Sequence, residues 1–268
     1  MSSILAGLIG SMTGMGGGIV LIPWLTWSGM GIRQAIALST LSMLVISNTA
    51  AARYTRRHLP NFRVAAFLEF FAVIGALAGS LLTTLIDSRW LFLLCGGMFF
   101  LCSKLSWEPR QEEAHSPTVH QDRLSQWFRF EGSYYDHAEG RTIHYRGRHA
   151  GLGGVLMIGA GFISGLLGFG GSGFAVLING WVIGLPPKVA LTTSHLIISV
   201  MALASTQVYL ESGLIPLPLA IPILLGVMLG AYIGSGMVVH LQNRTIRYLF
   251  LGVLLILGAE MFAHGLLR

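Results

Sequence analysis

The sequence predicts an all-α polytopic membrane protein built from two homologous repeats. Each repeat is a glycine-broken segment, re-entrant if it turns back, followed by three transmembrane helices, which makes about eight hydrophobic segments in all. Three observations carry this. Of 268 residues, 10 % are charged and 53 % hydrophobic, and the mean hydropathy is +0.69. A soluble domain has about 25 % charged residues, so this chain could not cover its surface with polar groups. Uncharged runs recur at about the 20 residues that a spanning helix needs. The two halves also carry the same motifs in the same order.

The charges mark the boundaries. Residues 104–149 hold as many acidic as basic residues, so the net charge of +6 lies entirely outside that stretch. It comes from Arg33, Arg53, Arg56, Arg57, Arg63, Arg89, Lys188, Arg244, Arg247 and Arg268, set against Glu69, Asp87, Glu211 and Glu260. The organisation expected is a first membrane repeat over 1–106, a linker over 107–149 and a second membrane repeat over 150–268. Basic residues at helix ends fix topology or meet anionic lipid, so a pI of 9.7 does not imply nucleic acid.

In chain order, residues 1–32 are uncharged and too long for one span, yet short for two. The start, Met1 to Gly7, lacks the Lys or Arg of a signal-peptide n-region, so it reads as mature structure. Gly14-Met15-Gly16-Gly17-Gly18 cuts this segment. Glycine clusters break helices and let backbone approach backbone or ligand, and broken backbone inside a bilayer is tolerated only against protein or water. Runs 34–52, 64–86 (interrupted by Glu69) and 90–106 read as ordinary spans. Cys95 and Cys102 share a face of the last of these and read as small buried apolar groups, too far apart to bridge.

In the linker, Trp127 to Gly132 and Arg141 to Tyr145 alternate around an Asp136-to-Gly140 turn, the pattern of a short β-hairpin. Five of the nine histidines lie in the linker, with no metal-ligand spacing. Neither a metal nor a cofactor is expected. Residues 150–187 repeat the odd opening, cut at Gly168-Phe169-Gly170-Gly171-Ser172-Gly173, and runs 189–210, 214–239 and 245–266 complete the spans.

The repeat rests on matched motifs. Gly14 to Gly18 aligns with Gly168 to Ser172, and Ala37-Leu38-Ser39-Thr40 with Ala190-Leu191-Thr192-Thr193. Gly75 and Gly79 align with Gly226 and Gly230, and Arg89 and Gly97 with Arg244 and Gly252. The offset drifts from 151 to 155. If each odd segment crosses once, the halves are parallel and the basic residues divide evenly between the two sides. If each turns back, the halves are inverted, and the side of Arg53 gains Lys188, Arg244 and Arg247 while losing Arg268. The positive-inside rule favours the inverted arrangement. In both, the linker lies on the Arg53 side, which is expected to be cytoplasmic.

Interrupted hydrophobic segments at matching places in two halves point to a transporter binding site. A half-helix that starts at such a break aims backbone N–H groups and a positive dipole end at an anion. Hydroxyls on the next helix can replace an oxyanion's hydration shell. The predicted substrate-lining set is therefore Gly14, Gly16, Gly17, Gly18, Ser39 and Thr40, with Gly168, Gly170, Gly171, Ser172, Gly173, Thr192 and Thr193. The plainer alternatives are tight helix packing by the glycines and interhelical bonds by the hydroxyls. Ser47 and Asn48 read in that plainer way. Ionisable groups within spans are functional candidates. His195, central in its run, is a proton-coupling candidate, with Glu69 a second. Glu260 and His264, one turn apart, read as an interface pair.

Gly170-Gly171-Ser172-Gly173 also matches a serine-nucleophile string, with His195 or His240 as base, so an intramembrane serine hydrolase is one alternative. Ser172 fills the slot of Gly18, which makes it a small-residue position first. A scaffold or sensor acting through the linker is the other alternative.

The strings Gly14 to Pro23 and Ala37 to Thr40, with their second copies at Gly168 to Gly173 and Ala190 to Thr193, resemble the repeats of the TauE/SafE sulfite-exporter family over nearly the whole chain. Gly132 to Asp136 resembles a linker string of some members. The resemblance implies a bacterial inner-membrane permease for a sulfur-containing anion such as sulfite or a sulfonate. Its partners would be that small anion, the bilayer and, as an open option, a second copy of the chain. One departure is Leu177, followed by Asn179, where Pro23 stands in the first copy.

Overall fold

In the computed structural model, residues 2–14, 16–95, 97, 122–136, 141–169 and 171–237 are described. In chain order they form α1 (Ser2–Thr13), α2 (Gly18–Trp27), α3 (Ile32–Thr55), α4 (Phe62–Leu85), α5 (88–95), α6 (Arg123–Trp127), β1 (Glu131–Asp136), β2 (Arg141–Arg146), α7 (Ala150–Leu167), α8 (Gly171–Leu177, continued by a π-turn Ile178–Val182), α9 (Pro187–Glu211) and α10 (Leu217–Met237). Helices α3, α4, α7, α9 and α10 are long and apolar enough to cross a membrane. Four of the expected runs thus become α3, α4, α9 and α10. The run 90–106 opens as α5. Its remainder lies outside the described residues, as do Met15, Gly170, His240, the run 245–266 with Glu260 and His264, Arg244, Gly252 and Cys102.

Local chemistry sets the helix ends. The Asn61 side chain accepts from the N–H groups of Arg63 (3.1 Å) and Val64 (3.2 Å), capping α4. Pro187 opens α9, where its fixed φ is already helical. Gly168 (φ 69°) closes α7 in the left-handed conformation.

Small residues set the packing. Lipid supplies no hydrophobic force between helices, so close contact must hold them. A Cβ on Gly75 or Gly79 of α4 would strike the carbonyls of Ile158 or Phe162. One on Gly161 or Gly165 of α7 would strike Ala72 or Ala76. The two backbones therefore touch along their length and run in the same direction. Likewise α10 lies along α1, with Gly226 against Ser3, Gly230 against Ile4 and Gly234 against Ser11 and Leu8. Helix α3 packs on α9 and on α10, and α9 also packs on α4. Phe70, Leu81 and Leu85 of α4 and Leu219, Ile221 and Leu229 of α10 face outward, as lipid-facing side chains should.

The bundle has two distinguishable ends. At the far end, Arg33 Nη2 donates to the Ile86 carbonyl (2.6 Å), joining the start of α3 to the end of α4. At the linker end, α3 finishes, α4 begins, and the Arg53 guanidinium lies 4.4 Å over the Tyr232 ring of α10 while donating to that residue's carbonyl. The hairpin β1–β2, in register Glu131↔Arg146 to Asp136↔Arg141, docks at this end. Its first strand begins four residues later than the alternation from Trp127 suggested, because residues 123–127 coil into α6 instead. Asn61 Nδ2 donates to Tyr145 Oη (3.2 Å) and to the Glu131 carbonyl (3.4 Å). Buried Phe130 packs edge-on against Phe67 of α4.

Candidate functional site

Each glycine-broken segment folds back on itself. In the first, Gly14 (φ 74°) donates its N–H to Gly10 O (3.1 Å), and Gly16 and Gly17 (φ 70° each) complete the reversal. These left-handed conformations strain any residue with a Cβ. After the turn α2 runs back along α1. A Cβ on Gly17 would lie 2.7 Å from Ala6 O, and one on Gly10 would strike the Gly17 backbone. The second segment repeats this geometry. Gly168 donates to Ser164 O (2.8 Å), and a Cβ on Gly171 would strike Ala160 O. The return strand of this hairpin comes all the way home, where Arg148 N–H donates to Ile183 O (2.8 Å). In both segments the described helix after the break lies back along the one before it.

The hairpins start from opposite ends. Helix α7 leaves the linker end beside α4, whereas α1 leaves the far end beside α10. Their tips meet inside the bundle. A Cβ on Gly18 would lie 2.6 Å from Gly168 O and 2.9 Å from Phe169 Cβ, and would strike Ser39 Oγ. Gly14 faces Leu191 of α9 and Val176 of α8, and Gly16 faces Met43 of α3.

The fold brings part of the predicted set to these tips. Ser39 donates to Gly168 O (3.1 Å), and Thr40 stands beside Gly168 while bonding Ile36 O (2.9 Å). Gly171, Ser172 and Gly173 open α8, all buried. The threonine pair of α9 is placed differently. Thr192 donates to Lys188 O (2.9 Å), and Thr193 Oγ1 accepts from the Asn61 N–H (3.0 Å), so it braces the start of α4. Glu69 is half-buried on α4, and no hydrogen bond or ion pair joins it to another described residue. Ser172 Oγ is buried and has no hydrogen-bond partner among the described residues, so His195 does not serve it as a base, and His240 lies outside those residues. Asn179 Nδ2 donates to Ser194 Oγ (2.7 Å), fixing the π-turn to α9.

His195 is fully buried in α9, and its Nε2 lies 3.1 Å from Ser11 O. A carbonyl only accepts, so Nε2 carries the proton. Nδ1 is then a bare acceptor, buried and without a partner among the described residues. The same Ser11 carbonyl accepts from Tyr54 Oη (3.1 Å), whose ring packs 5.6 Å from the imidazole. A counterpart exists in the other half. The Gly165 carbonyl accepts from Tyr209 Oη and from Thr83 Oγ1 (3.3 Å). Ser11 and Gly165 each stand three residues before a turn glycine, and both tyrosines are buried. These tyrosines were missed in the sequence. Their separation of 155 lies within the repeat offset, so aligning the repeats in full would have paired them.

Among the described residues the tips hold no fixed charge. The first N–H groups of α2 to bond within the helix are those of Val20 (3.1 Å) and Leu21 (3.2 Å), both on Gly17 O. The N–H groups of Gly18 and Ile19 precede that ladder and lie at the positive end of the helix.

Comparison with known proteins adds an independent line. Residues 1–261 match the family described as Sulfite exporter TauE/SafE. The probable membrane transporter protein YunE of Bacillus subtilis (strain 168) is 24 % identical over 98 % of this chain and 96 % of its own. The probable membrane transporter protein YdhB of the same organism is 25 % identical over 86 % of this chain and 85 % of its own. No solved structure matches the chain.

Proposed function

The chain belongs to the sulfite exporter TauE/SafE family, and from that membership we propose that it moves a small sulfur-containing anion, such as sulfite or a sulfonate, across the bacterial inner membrane. It is a multi-pass membrane transporter. The finer reading is a secondary permease of two inverted repeats, 1–106 and 150–268, with its site between them. The single observation that carries it is the meeting of the two glycine turns at Gly18, Gly168 and Phe169, walled by Ser39 and Thr40. The exchanged packing supports the repeat, since α1 lies on α10 as α7 lies on α4.

In this site the anion is held by the N–H groups that open α2 and by the Ser172 hydroxyl, unpartnered among the described residues, with Ser39 and Thr40 turning their hydroxyls to it from Gly168 O and Ile36 O when it binds. The remaining residues of the predicted set shape the turns or support them. Thr193 acts from behind, through Asn61. Proton coupling falls to His195, whose bare Nδ1 is the atom able to take a proton. The linker end is the cytoplasmic one. Arg53, Arg56, Arg57, Arg63 and Lys188 lie there, and only Arg33 and Arg89 lie at the far end among the described residues outside the linker.

The test is flux into liposomes containing the purified protein, with sulfite, sulfate, thiosulfate and a small sulfonate, each with and without a pH gradient. Flux of at least one sulfur oxyanion is expected. No anion flux under any condition would overturn the reading. Proton movement that accompanies the anion in the wild type and persists unchanged in His195→Ala would remove His195 from coupling.

A further inference from the structure

The C-terminal ends of α1 and α7 carry backbone carbonyls that no later residue of the same helix can satisfy. Each is met by a tyrosine near the end of a long helix of its own half: Tyr54 of α3 on Ser11, and Tyr209 of α9 on Gly165. Each hairpin end also takes a second donor from the other half: His195 of α9 on the Ser11 carbonyl, and Thr83 of α4, whose hydroxyl lies 2.8 Å from Leu166 O and 3.3 Å from Gly165 O. Each bond pair therefore pins a hairpin to both halves at once. The two pins lie at opposite ends of the bundle. Tyr54 adjoins the linker-end turn after α3, and Tyr209 sits beside Thr83 near the far end of α4. A phenol on a carbonyl is a single reversible bond, and its ring keeps its packing when the bond opens.

We propose that Tyr54 and Tyr209 are paired latches, Tyr54 closing the linker end of the bundle and Tyr209 the far end, and that one releases while the other holds. This rests on the transport reading for its purpose, though not for its test. Two buried serines supply reporters: Ser47, two turns before Tyr54 on the same face of α3, and Ser164, beside Gly165. Their hydroxyls have no partner among the described residues, so Ser47→Cys and Ser164→Cys remove no bond. Each is made in a chain with Cys95 and Cys102 replaced by alanine, reconstituted in liposomes, and labelled from one side with a charged, membrane-impermeant methanethiosulfonate.

Tyr54→Phe should raise labelling of Ser47→Cys from the linker side by about tenfold, the loss of one hydrogen bond, and leave Ser164→Cys unchanged. Tyr209→Phe should do the converse from the far side. If neither reporter responds, or both respond alike to either substitution, the latches do not exist. A lower melting temperature without side-specific labelling would make the tyrosines structural only and equally overturn the proposal. Side-specific labelling in a protein that moves no anion would sink the transport reading and leave the latches standing.

Discussion

Replacing Gly18 with alanine puts one methyl group where the two hairpin tips meet. The added Cβ would lie 2.6 Å from Gly168 O and 2.9 Å from Phe169 Cβ. Ordinary contact begins near 3.4 Å, so the tips must part by about 0.8 Å, the difference between the two distances. Neither neighbour is a flexible side-chain end, so the strain cannot be relieved locally. Overpacking of this kind costs about 1–3 kcal/mol. Parting the tips also stretches the Ser39–Gly168 bond (3.1 Å), worth roughly 0.5–1.5 kcal/mol. Together about 3 kcal/mol is expected, which is roughly a hundredfold in the population of the closed arrangement. The matched position gives the opposite sign. Ser172→Ala removes a buried hydroxyl without a partner and should leave stability unchanged or raise it. The assay is thermal unfolding in detergent together with anion flux in liposomes. Wild-type melting and flux in Gly18→Ala would show that the tips do not touch as described, and the site reading would fall with them.

Four further outcomes follow from the structure. Gly230→Ala drives a Cβ into the Ile4 carbonyl, with Leu8 N at 2.8 Å, and should destabilise the fold by about 1–3 kcal/mol, read as a lower melting temperature. Gly159→Ala meets nothing within 4 Å and should gain about 0.5–1 kcal/mol of helix propensity. Asn61→Ala loses the α4 cap and both bonds to the hairpin. The linker should then be cut faster by protease from its own side, with the α4 cap alone worth about 1 kcal/mol. Burial pushes the Asp122 carboxyl up, but bonds with Ser125 and the backbone at His149 and Ala150 outweigh it and hold it below its ordinary value. A lowered carboxyl pKa stabilises above the unfolded value and loses that stability as pH falls through the folded one. The protection of the α6 amides, taken relative to their intrinsic exchange rate at each pH, should therefore fall below about pH 4 and be flat above it.

Four of the spans and the two breaks were legible because each is a local pattern: an uncharged run or a run of glycines. The direction after each break was not. A glycine cluster permits a crossing or a reversal equally, and the choice is made by backbone contacts such as Gly17 with Ala6 and Gly171 with Ala160. The hydroxyl pairs show the same limit. Ser39 and Thr192 hold matched places in the sequence, yet Ser39 reaches the opposing hairpin and Thr192 bonds back within α9. Thr193 is claimed by Asn61, 132 positions away, a partner that no window on α9 contains. Tyr54 and Tyr209 stand near span ends, where tyrosine ordinarily marks the membrane interface. Only their inward burial distinguishes them.

The four half-helix ends divide by polarity. The carbonyl ends of α1 and α7 are already occupied, by Tyr54 and His195 on one and by Tyr209 and Thr83 on the other. The N–H ends of α2 and α8 turn toward the junction of the tips instead, where Ser39 and Thr40 add hydroxyl groups. The Gly171 N–H is already bonded to Phe169 O (2.9 Å), so it is the N–H groups of Gly18 and Ile19, ahead of the α2 ladder, that make the junction electropositive, with no lysine or arginine there among the described residues. A cation placed there would meet the positive ends of two helices in a low dielectric, whereas an anion would complete their ladders. An anion, the substrate proposed above, is the charge that such an arrangement of half-helix ends would favour.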